Sequence, residues 1–238
     1  MQHKIGIGLM TLGCMLVLLF FALMGFERVV YRPSWFIMIQ SELQVHEDVG
    51  VSEDTLKDIQ LCVGNYIHGD ADERQLNPTV LMHGIEQPIF NEREVSHMRD
   101  VQNLFFMQRQ LYVLSMYFGM VLLAVGYCLA PTNRPPLFLI ATAAIGAWAL
   151  LALLYFAWCQ FSFDLMFTRF HELLFDNDLW LLDPNTDAMI RMYPLPFFEK
   201  IAGRIGMMMA LYAVVPYFAV FIPYICPQII RSMRRRLR

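Results

Sequence analysis

The chain has 238 residues, of which 57% are hydrophobic, and a formal charge of −3 at pH 7. Its five cysteines form no CxxC pair, which argues against a zinc cluster and against a disulfide framework. The sequence contains no Gly-rich phosphate loop, and it has too little polar sequence for a separate nucleotide-binding domain.

Four uncharged apolar runs divide the chain: Ile5–Phe26, Leu111–Ala130, Pro136–Cys159 and Ile205–Pro227. Each has about 20 residues or more, enough for a helix to cross roughly 30 Å of hydrocarbon. A secretory signal peptide has an apolar region of only about 7–15 residues, so we expect the first run to be a retained anchor. Cleavage near Ala22–Gly25 stays open as an alternative.

The charged residues predict an orientation. With both termini in the cytoplasm, the inner segments carry Lys4, Arg134 and the arginines of the final RSMRRRLR, and none of the 21 acidic residues. This asymmetry satisfies the positive-inside rule. The predicted fold class is an all-α polytopic membrane protein, a single membrane domain over residues 1–238. Its external segments, 27–110 and 160–204, would form a small extracytoplasmic cap of mixed helix and short extended segments.

The first external segment contains one clear helix. VSEDTLKDIQLCVGNYIHG, residues 51–69, has Ser52 as a helix cap, acids in the first turn and Gly69 at the exit. Its apolar residues fall on one helical face: Leu56, Ile59, Val63 and Ile67. Pro33 is expected to end the preceding helix. The stretch 78–94, broken by Gly84 and Pro88, predicts short extended pieces.

The first external segment rejoins the membrane through NEREVSHMRDVQNLFFMQRQLYVL, residues 91–114. Ser96 is a predicted N-cap, which would place His97 in the first turn of a helix that continues into the second span. Taken alone, this spacing favours a solvated or capping histidine at a helix start.

The second external segment begins in a similar way. If a helix runs through CQFSFDLMFTRFHELLFDNDLW, residues 159–180, then five side chains recur at spacings of three or four and share a face: Asp164, Phe167, His171, Phe175 and Asp178. Carboxylates beside a histidine can orient its ring and raise its pKa. Taken alone, the pattern favours an interfacial helix with solvated charges, anchored by its Phe and Trp side chains. Asp183–Pro184–Asn185–Thr186 has the composition of a β-turn.

The histidines of the two segments are more informative together. A membrane enzyme that acts on lipid acyl groups needs a base, a proton donor, an oxyanion donor and a dry pocket. His97, His171, the nearby Arg and Asn donors and an aromatic rim offer these groups. Metal binding is the competing hypothesis, but neither HMRD nor HELLF matches the HExxH zinc motif.

At these residues the sequence resembles a known family. EVSHMRDVQNL, residues 94–104, and FHELLFDNDLWLLDPNTDAMIRMYPLPFF, residues 170–198, resemble the two signature regions of the bacterial lipoprotein intramolecular transacylases. These are integral membrane proteins of similar size with four spans and an extracytoplasmic cap. His46, His68 and His83 lie outside both blocks. The resemblance implies multi-pass insertion in the bacterial cell membrane, with the active site at the extracytoplasmic face.

The resemblance also implies a reaction. The sn-2 acyl chain of a diacylglyceryl-modified lipoprotein would move to the α-amine of the N-terminal cysteine and give a lyso-form lipoprotein. Ester-to-amide exchange is downhill, so no cofactor and no metal is expected. The implied partners are the lipoprotein substrate and membrane lipids, and no nucleic acid. His97 and His171 would be catalytic, one as base and one as acid. The further candidates for substrate binding or for orienting the site are Arg99, Asp100, Asn177, Asp178, Trp180, Asp183, Arg191 and Tyr193.

The sequence also leaves open a different class of protein. A non-enzymatic four-span protein whose acidic cap binds a partner, as an assembly factor or a sensor, has the same span order and the same charge pattern. A transporter is disfavoured because the spans lack the ionisable residues expected along an ion path.

Overall fold

The structure is a computed structural model that describes residues 1–130, 137–161 and 163–236. The helices, in chain order, are α1 (Gln2–Val30), α2 (Pro33–Glu42), α3 (Val45–Val49), α4 (Glu53–His68), α5 (Glu73–Leu76), α6 (Glu92–Leu129), α7 (Leu137–Phe161), α8 (Phe163–Leu174), α9 (Ala188–Met192) and α10 (Leu195–Arg236). Two short strands, β1 (Thr79–Met82) and β2 (Ile85–Pro88), lie between α5 and α6. Arg134 and the predicted start of the third span, Pro136, lie outside the described residues.

The described residues form two compact units. One takes in residues from 1–27, 110–156 and 206–238, and the other takes in residues from 28–109 and 157–205. The bounds of the second unit are close to those of the predicted cap, 27–110 and 160–204. Placement of this unit outside a membrane stays a prediction, as does the single membrane domain.

Glycines set the packing of the first unit. A Cβ atom at Gly6 would lie 2.8 Å from the carbonyl oxygen of Gly126, and one at Gly13 would lie 2.8 Å from that of Gly119. The backbones of α1 and α6 are therefore in direct contact, as small residues allow between helices in a bilayer. On another side, α1 packs against α7 through a small buried cluster: Met10, Cys14, Leu18, Ile140 and Ala144.

Among the described residues, α1 and α6 are long and apolar enough to cross a bilayer. They contain the first two predicted spans. From residue 137 onward, the third predicted span falls within α7. The fourth predicted span falls within α10. The mostly helical architecture agrees with the predicted class, whereas the total of four spans stays a prediction.

The core of the second unit is built around α4. Ser52 caps this helix by accepting a hydrogen bond from the Thr55 N–H, and Gly69 ends it with a positive φ of 83°. Both ends and the apolar face match the sequence prediction. Leu56, Ile59 and Val63 are at most 3% exposed, and burial of such side chains contributes about 1.5–3 kcal/mol each. They pack with residues of α3, α5, α6 and α9.

The predicted extended pieces form an antiparallel hairpin in which Met82 pairs with Ile85. His83 and Gly84 make the two-residue turn, and both have positive φ, as a type I′ turn requires. The His83 N–H donates to the carbonyl of Gly50 at 3.1 Å. A Cβ atom at Gly50 would lie 2.1 Å from Cε1 of His83, so a side chain there would force the imidazole to move. The hairpin is thereby fastened to the residue that follows α3.

Helix α6 starts earlier than the sequence predicted. Its cap is Asn91 and not Ser96: the Asn91 Oδ1 accepts from the Glu94 N–H at 3.0 Å, and the Glu94 Oε2 accepts from the Asn91 N–H at 2.8 Å. This reciprocal capping box satisfies two otherwise unpaired N–H groups. His97 therefore lies in the second turn of the helix and not at its exposed start.

Helix α8 ends earlier than the sequence predicted. Its last residue is Leu174, so Asp178 is not on the same helical face as His171. Residues 175–187, which we name the site loop, lack helix and strand. The predicted turn is present within this loop, because the Thr186 N–H donates to the Asp183 carbonyl at 3.1 Å. Helix α9 follows directly.

Candidate active site

Two buried histidines of the second unit face each other. His97 comes from α6 and His171 from α8, and their ring centroids lie 6.3 Å apart. The two side chains are 7% and 8% exposed. His97 is buried because the early start of α6 places it one turn after the buried Glu94. The two histidines predicted as catalytic are thus brought together, although they are far apart in the sequence.

Aromatic rings enclose His171. Phe167 and Phe170 approach it from α8, with centroids 4.2 and 5.5 Å away, and Phe175 approaches at 5.7 Å. Trp180 of the site loop stacks on the imidazole at 4.9 Å, with the planes 29° apart. Phe175 also contacts His97 edge-on at 5.4 Å. These rings shield the histidine pair from water, which strengthens electrostatic interactions within it.

A backbone hydrogen bond orients the His171 ring. Its Nδ1 lies 2.8 Å from the carbonyl oxygen of Phe167, one turn earlier in α8. A carbonyl only accepts, so Nδ1 carries the proton of the neutral ring and Nε2 keeps its lone pair. Burial lowers the pKa of His171, while the same carbonyl bond opposes this shift. His171 is therefore neutral at pH 7, and its Nε2, a base, has no hydrogen-bond partner among the described residues.

His97 is neutral for related reasons. Burial, together with the nearby His171, lowers its pKa to about 4, while the carboxylate of Asp100 opposes the shift. The buried Nδ1 of His97 has no hydrogen-bond partner within the described part of the chain. An unpaired buried nitrogen is costly, so it favours a substrate group that can bind to it.

The predicted residues Asp100 and Asn177 join α6 to the site loop. The Asn177 Nδ2 donates to the Asp100 Oδ2 at 2.9 Å, and the Asn177 Oδ1 accepts from the Leu179 N–H at 3.0 Å. Asp100 is one turn after His97 on α6 and acts on it electrostatically. Asp100 thus acts on His97, while Asn177 ties Asp100 to the loop that carries Trp180.

Sequence reasoning missed Arg93. Its Nη2 donates to the carbonyl oxygen of Asp178, and its Nε lies 3.5 Å from that of Leu179. The one available signal was its spacing, since residue 93 lies four before His97 and therefore on the same face of α6. Asp178, predicted as a site residue, takes part through its backbone carbonyl, while its side chain is exposed.

Sequence reasoning also missed Glu94, which is 1% exposed. Its Oε1 accepts from the Met189 N–H at the start of α9, at 2.6 Å. Burial raises its pKa, and the two backbone hydrogen bonds oppose that shift. Asn91 extends the network by donating to the buried Asp187 at 2.7 Å. The N-x-x-E capping pattern at 91–94 was the signal that would have identified these residues.

The other predicted residues have partners away from the histidines. Arg99 pairs with Glu73 of α5 at 2.6 Å, on a side of α6 about 200° from His97. Asp183 accepts from the Asn185 N–H at 2.9 Å and shapes the turn. Arg191 donates to the Pro184 carbonyl at 3.2 Å. The Tyr193 hydroxyl donates to Gln60 at 2.8 Å. We observe structural contacts for these four, and no contact with the histidine pair.

No group of three or more potential metal ligands occurs among residues 1–130, 137–161 and 163–236. The surroundings of His97 and His171 consist of aromatic rings, a backbone carbonyl and one carboxylate, Asp100. What this arrangement can do is accept a proton at the free Nε2 of His171 and pass protons within a dry, enclosed pair.

The fold and the site together define a helical membrane protein with an enclosed pair of neutral histidines. The family model "Lipoprotein intramolecular transacylase Lit" matches residues 10–198. The chain belongs to this family and is therefore a membrane acyltransferase. Membership excludes the alternative of a non-enzymatic partner-binding protein. Among curated proteins, none matches the sequence.

Comparison with solved structures finds proteins of similar fold. One is the membrane-integral lipoprotein intramolecular transacylase Lit from Bacillus cereus, with a TM-score of 0.67, 18% identity and 98% of each chain covered. Two further structures of that protein carry a substitution of one histidine. The arginine variant has a TM-score of 0.67 and 16% identity, covering 97% of this chain and 94% of that one. The alanine variant has a TM-score of 0.64 and 15% identity, and the match covers 99% of this chain and 96% of that one.

Proposed function

We propose that this protein moves the sn-2 acyl chain of a diacylglyceryl-modified lipoprotein to the α-amine of the lipoprotein's own N-terminal cysteine. The product is a lyso-form lipoprotein with an N-acyl group and an S-monoacylglyceryl group. The observation that carries the proposal is the buried pair of His97 and His171, held by two helices within aromatic rings. Family membership supplies the reaction class, and the pair supplies the groups that acyl transfer requires.

The reaction exchanges one bond for another. The neutral α-amine attacks the ester carbonyl carbon, a C–N bond forms, and the C–O bond to the glyceryl oxygen breaks. One proton leaves the amine and one proton reaches the glyceryl oxygen, so no net proton is released. An amide is more stable than an ester, so the exchange needs no energy source. Amine and ester belong to one molecule, and a site that holds them together can lower the barrier by up to about 7–11 kcal/mol.

The contacts favour a division of roles. His171 is the proposed base, because its Nε2 has no partner in the described part of the chain and the Phe167 carbonyl stabilises the imidazolium that forms. His97 is the proposed donor to the departing glyceryl oxygen. It gives up the N–H of its neutral ring and recovers a proton from the His171 imidazolium. Asp100 favours the transient positive charge on this pair.

Asn177 is the proposed oxyanion donor. Arg99, the other donor predicted from the sequence, is paired with Glu73 on a different side of α6. Asn177 gives one amide hydrogen to Asp100, and its second amide hydrogen remains to donate. Loss of one oxyanion donor typically costs about 10²–10³ in kcat. No metal and no cofactor enters this mechanism.

We further propose the topology. Both termini are cytoplasmic, four helices cross the bacterial cell membrane, and the histidine pair opens to the extracytoplasmic face. The charge distribution supports this orientation, since every acidic residue falls in the two segments assigned to the outside. Membrane lipids then surround the apolar helices, and the lipid end of the lipoprotein reaches the site from the outer leaflet.

Mass spectrometry of a lipoprotein's N-terminal peptide tests the proposal. We expect the N-acylated lyso-form in cells that express the wild-type gene and only the diacylglyceryl form in cells without it. The inactive control is His97→Gln at the same membrane level, and the active control is His46→Gln. A fragment spectrum that places the acyl group on the cysteine nitrogen is required. An acyl chain that remains on the glyceryl group would contradict the proposed transfer.

A further inference from the structure

The site loop, residues 175–187, depends on contacts with α6 for its position. It lacks helix and strand, yet it carries Trp180, whose indole covers one face of the His171 ring at 4.9 Å. A loop without regular structure gains little from its own hydrogen bonds. The contacts that hold this loop against a rigid helix therefore determine the position of Trp180.

Two residues of α6 fasten this loop, one on either side of His97. Arg93, four residues earlier, donates to the carbonyl oxygens of Asp178 and Leu179. Asp100, three residues later, accepts from Asn177. Residues 93, 97 and 100 lie on one face of the helix because they are separated by four and three positions. The helix that presents His97 thus also holds the loop that covers His171.

We propose that Arg93 is a positioning residue, whose guanidinium holds the backbone at Asp178 and Leu179 so that Trp180 stays stacked on His171. The inference deepens the proposed function, because it assumes that His171 reacts. Arg93 itself has no contact with either histidine ring among the described interactions. Its effect on the reaction passes through the site loop, which carries both Asn177 and Trp180.

Arginine suits this task better than lysine. Its planar guanidinium presents several N–H groups in a fixed arrangement, so Nε and Nη2 reach two consecutive carbonyl oxygens at once. Lysine keeps the positive charge but offers a single flexible ammonium, which can hold one carbonyl and leaves the loop free to rotate about it. Hydrogen bonds from a charged donor are also stronger than those between neutral groups.

The experiment is a double-mutant cycle of Arg93→Ala and Trp180→Ala, with initial rates measured on purified diacylglyceryl lipoprotein in detergent. We expect each single variant to lose about 10–100-fold in kcat, as small misplacements of reacting groups do, with KM nearly unchanged. The double variant should lose clearly less than the product of the two single losses, because Trp180→Ala has already removed most of what Arg93 positions. Arg93→Lys should fall between wild type and Arg93→Ala.

The matched control is Arg169→Ala. Arg169 is an exposed arginine of α8 that pairs with Glu172 at 2.6 Å, close to His171 in the sequence but not in contact with the site loop. It should keep the wild-type kcat. The control separates the loss of a surface ion pair from the loss of loop position.

A second measurement needs no substrate. The fluorescence emission of Trp180 is the difference between the spectrum of each protein and that of the same protein with Trp180→Phe. Quenching of this emission by acrylamide reports how well the indole is shielded from solvent. Arg93→Ala should increase this quenching, and Arg169→Ala should not. If the wild-type protein makes no lyso-form, the proposed function fails, and quenching still tests Arg93. Unchanged quenching in Arg93→Ala, or losses that multiply in the double variant, would overturn the inference.

Discussion

The imidazole rings of His97 and His171 lie 6.3 Å apart, each more than nine-tenths buried, and no helix or strand carries both. A buried pair of this kind requires the whole second unit to fold before either ring is placed. Local unfolding of α8 or of the site loop would open the pair to water, and the low pKa values caused by burial would then be lost.

The first prediction concerns the pair itself. His97→Gln and His171→Gln keep a polar side chain that cannot exchange a proton near neutral pH. Each should lose about 10²–10⁴-fold in the rate of lyso-form production at normal membrane levels. If the two act as a unit, the double variant should be scarcely slower than the slower single variant. The measurement is the initial rate with purified lipoprotein.

His46, His68 and His83 provide the controls for this prediction, because they lie outside the pair. Their glutamine variants should keep most of the activity. Near-normal conversion by well-expressed His97→Gln or His171→Gln protein would refute the proposed chemistry while leaving the family membership untouched.

The second prediction concerns pH. The folded state lowers the pKa of His97 from 6.5 to about 4, so the unfolded chain binds the proton more tightly. His97 therefore stabilises the fold above pH 6.5, and this contribution is lost as the pH falls toward 4. Between pH 7 and pH 5 the loss is about 2 kcal/mol in the free energy of unfolding. His171 acts in the same direction.

Comparison of wild type with His97→Gln isolates this effect, because Glu94 acts in the opposite direction through its raised pKa. Denaturant unfolding in detergent at several pH values should give a shallower pH dependence for the variant than for wild type. Parallel curves would show that His97 is not held neutral by the fold.

The third prediction concerns the contact between α1 and α6. Gly13→Ala would place a Cβ atom 2.8 Å from the carbonyl oxygen of Gly119, so the helices must separate, and the thermal unfolding temperature should fall. Gly8→Ala is the matched control on the same helix, because a Cβ atom at Gly8 has no neighbour within 4 Å among the described residues. It should leave the unfolding temperature unchanged or raise it slightly, since alanine favours helix over glycine by about 1 kcal/mol. Equal effects of the two substitutions would contradict the contact.

The fourth prediction concerns cofactors. The proposed proton transfer uses only side chains of the chain, so the purified protein should convert detergent-solubilised lipoprotein without added metal or nucleotide. Treatment with a strong chelator, followed by gel filtration, should leave the rate unchanged. Activity that disappears with the chelator and returns with zinc would indicate a metal site in place of the proposed mechanism.

The fifth prediction concerns orientation. A reporter that is active only outside the cytoplasm should work when it is fused after residue 70 or residue 185, within the second unit. The same reporter should be inactive after residue 133 or residue 238. The opposite pattern of activity would place the histidine pair on the cytoplasmic face and exclude the proposed topology.

The sequence by itself determined the features that depend on neighbouring residues. Apolar runs long enough to span a bilayer identified the helices α1 and α6, because hydrocarbon selects for length and hydrophobicity alone. Ser52 and Gly69 predicted both ends of α4, since capping joins residues only a few positions apart. The two signature blocks pointed to His97 and His171, which the structure then brought together.

Only the tertiary structure decided which polar residues surround the pair. The sequence predicted Ser96 as the cap of α6, whereas Asn91 caps it in the structure, together with Glu94, whose buried carboxylate also accepts from Met189 of α9. Arg99 was the arginine predicted from the sequence, but it pairs with Glu73, while Arg93, on another side of α6, binds the site loop. Trp180 reaches His171 through a loop whose path is set by contacts with a distant helix. Such contacts link residues far apart in the chain, so no local pattern can encode them.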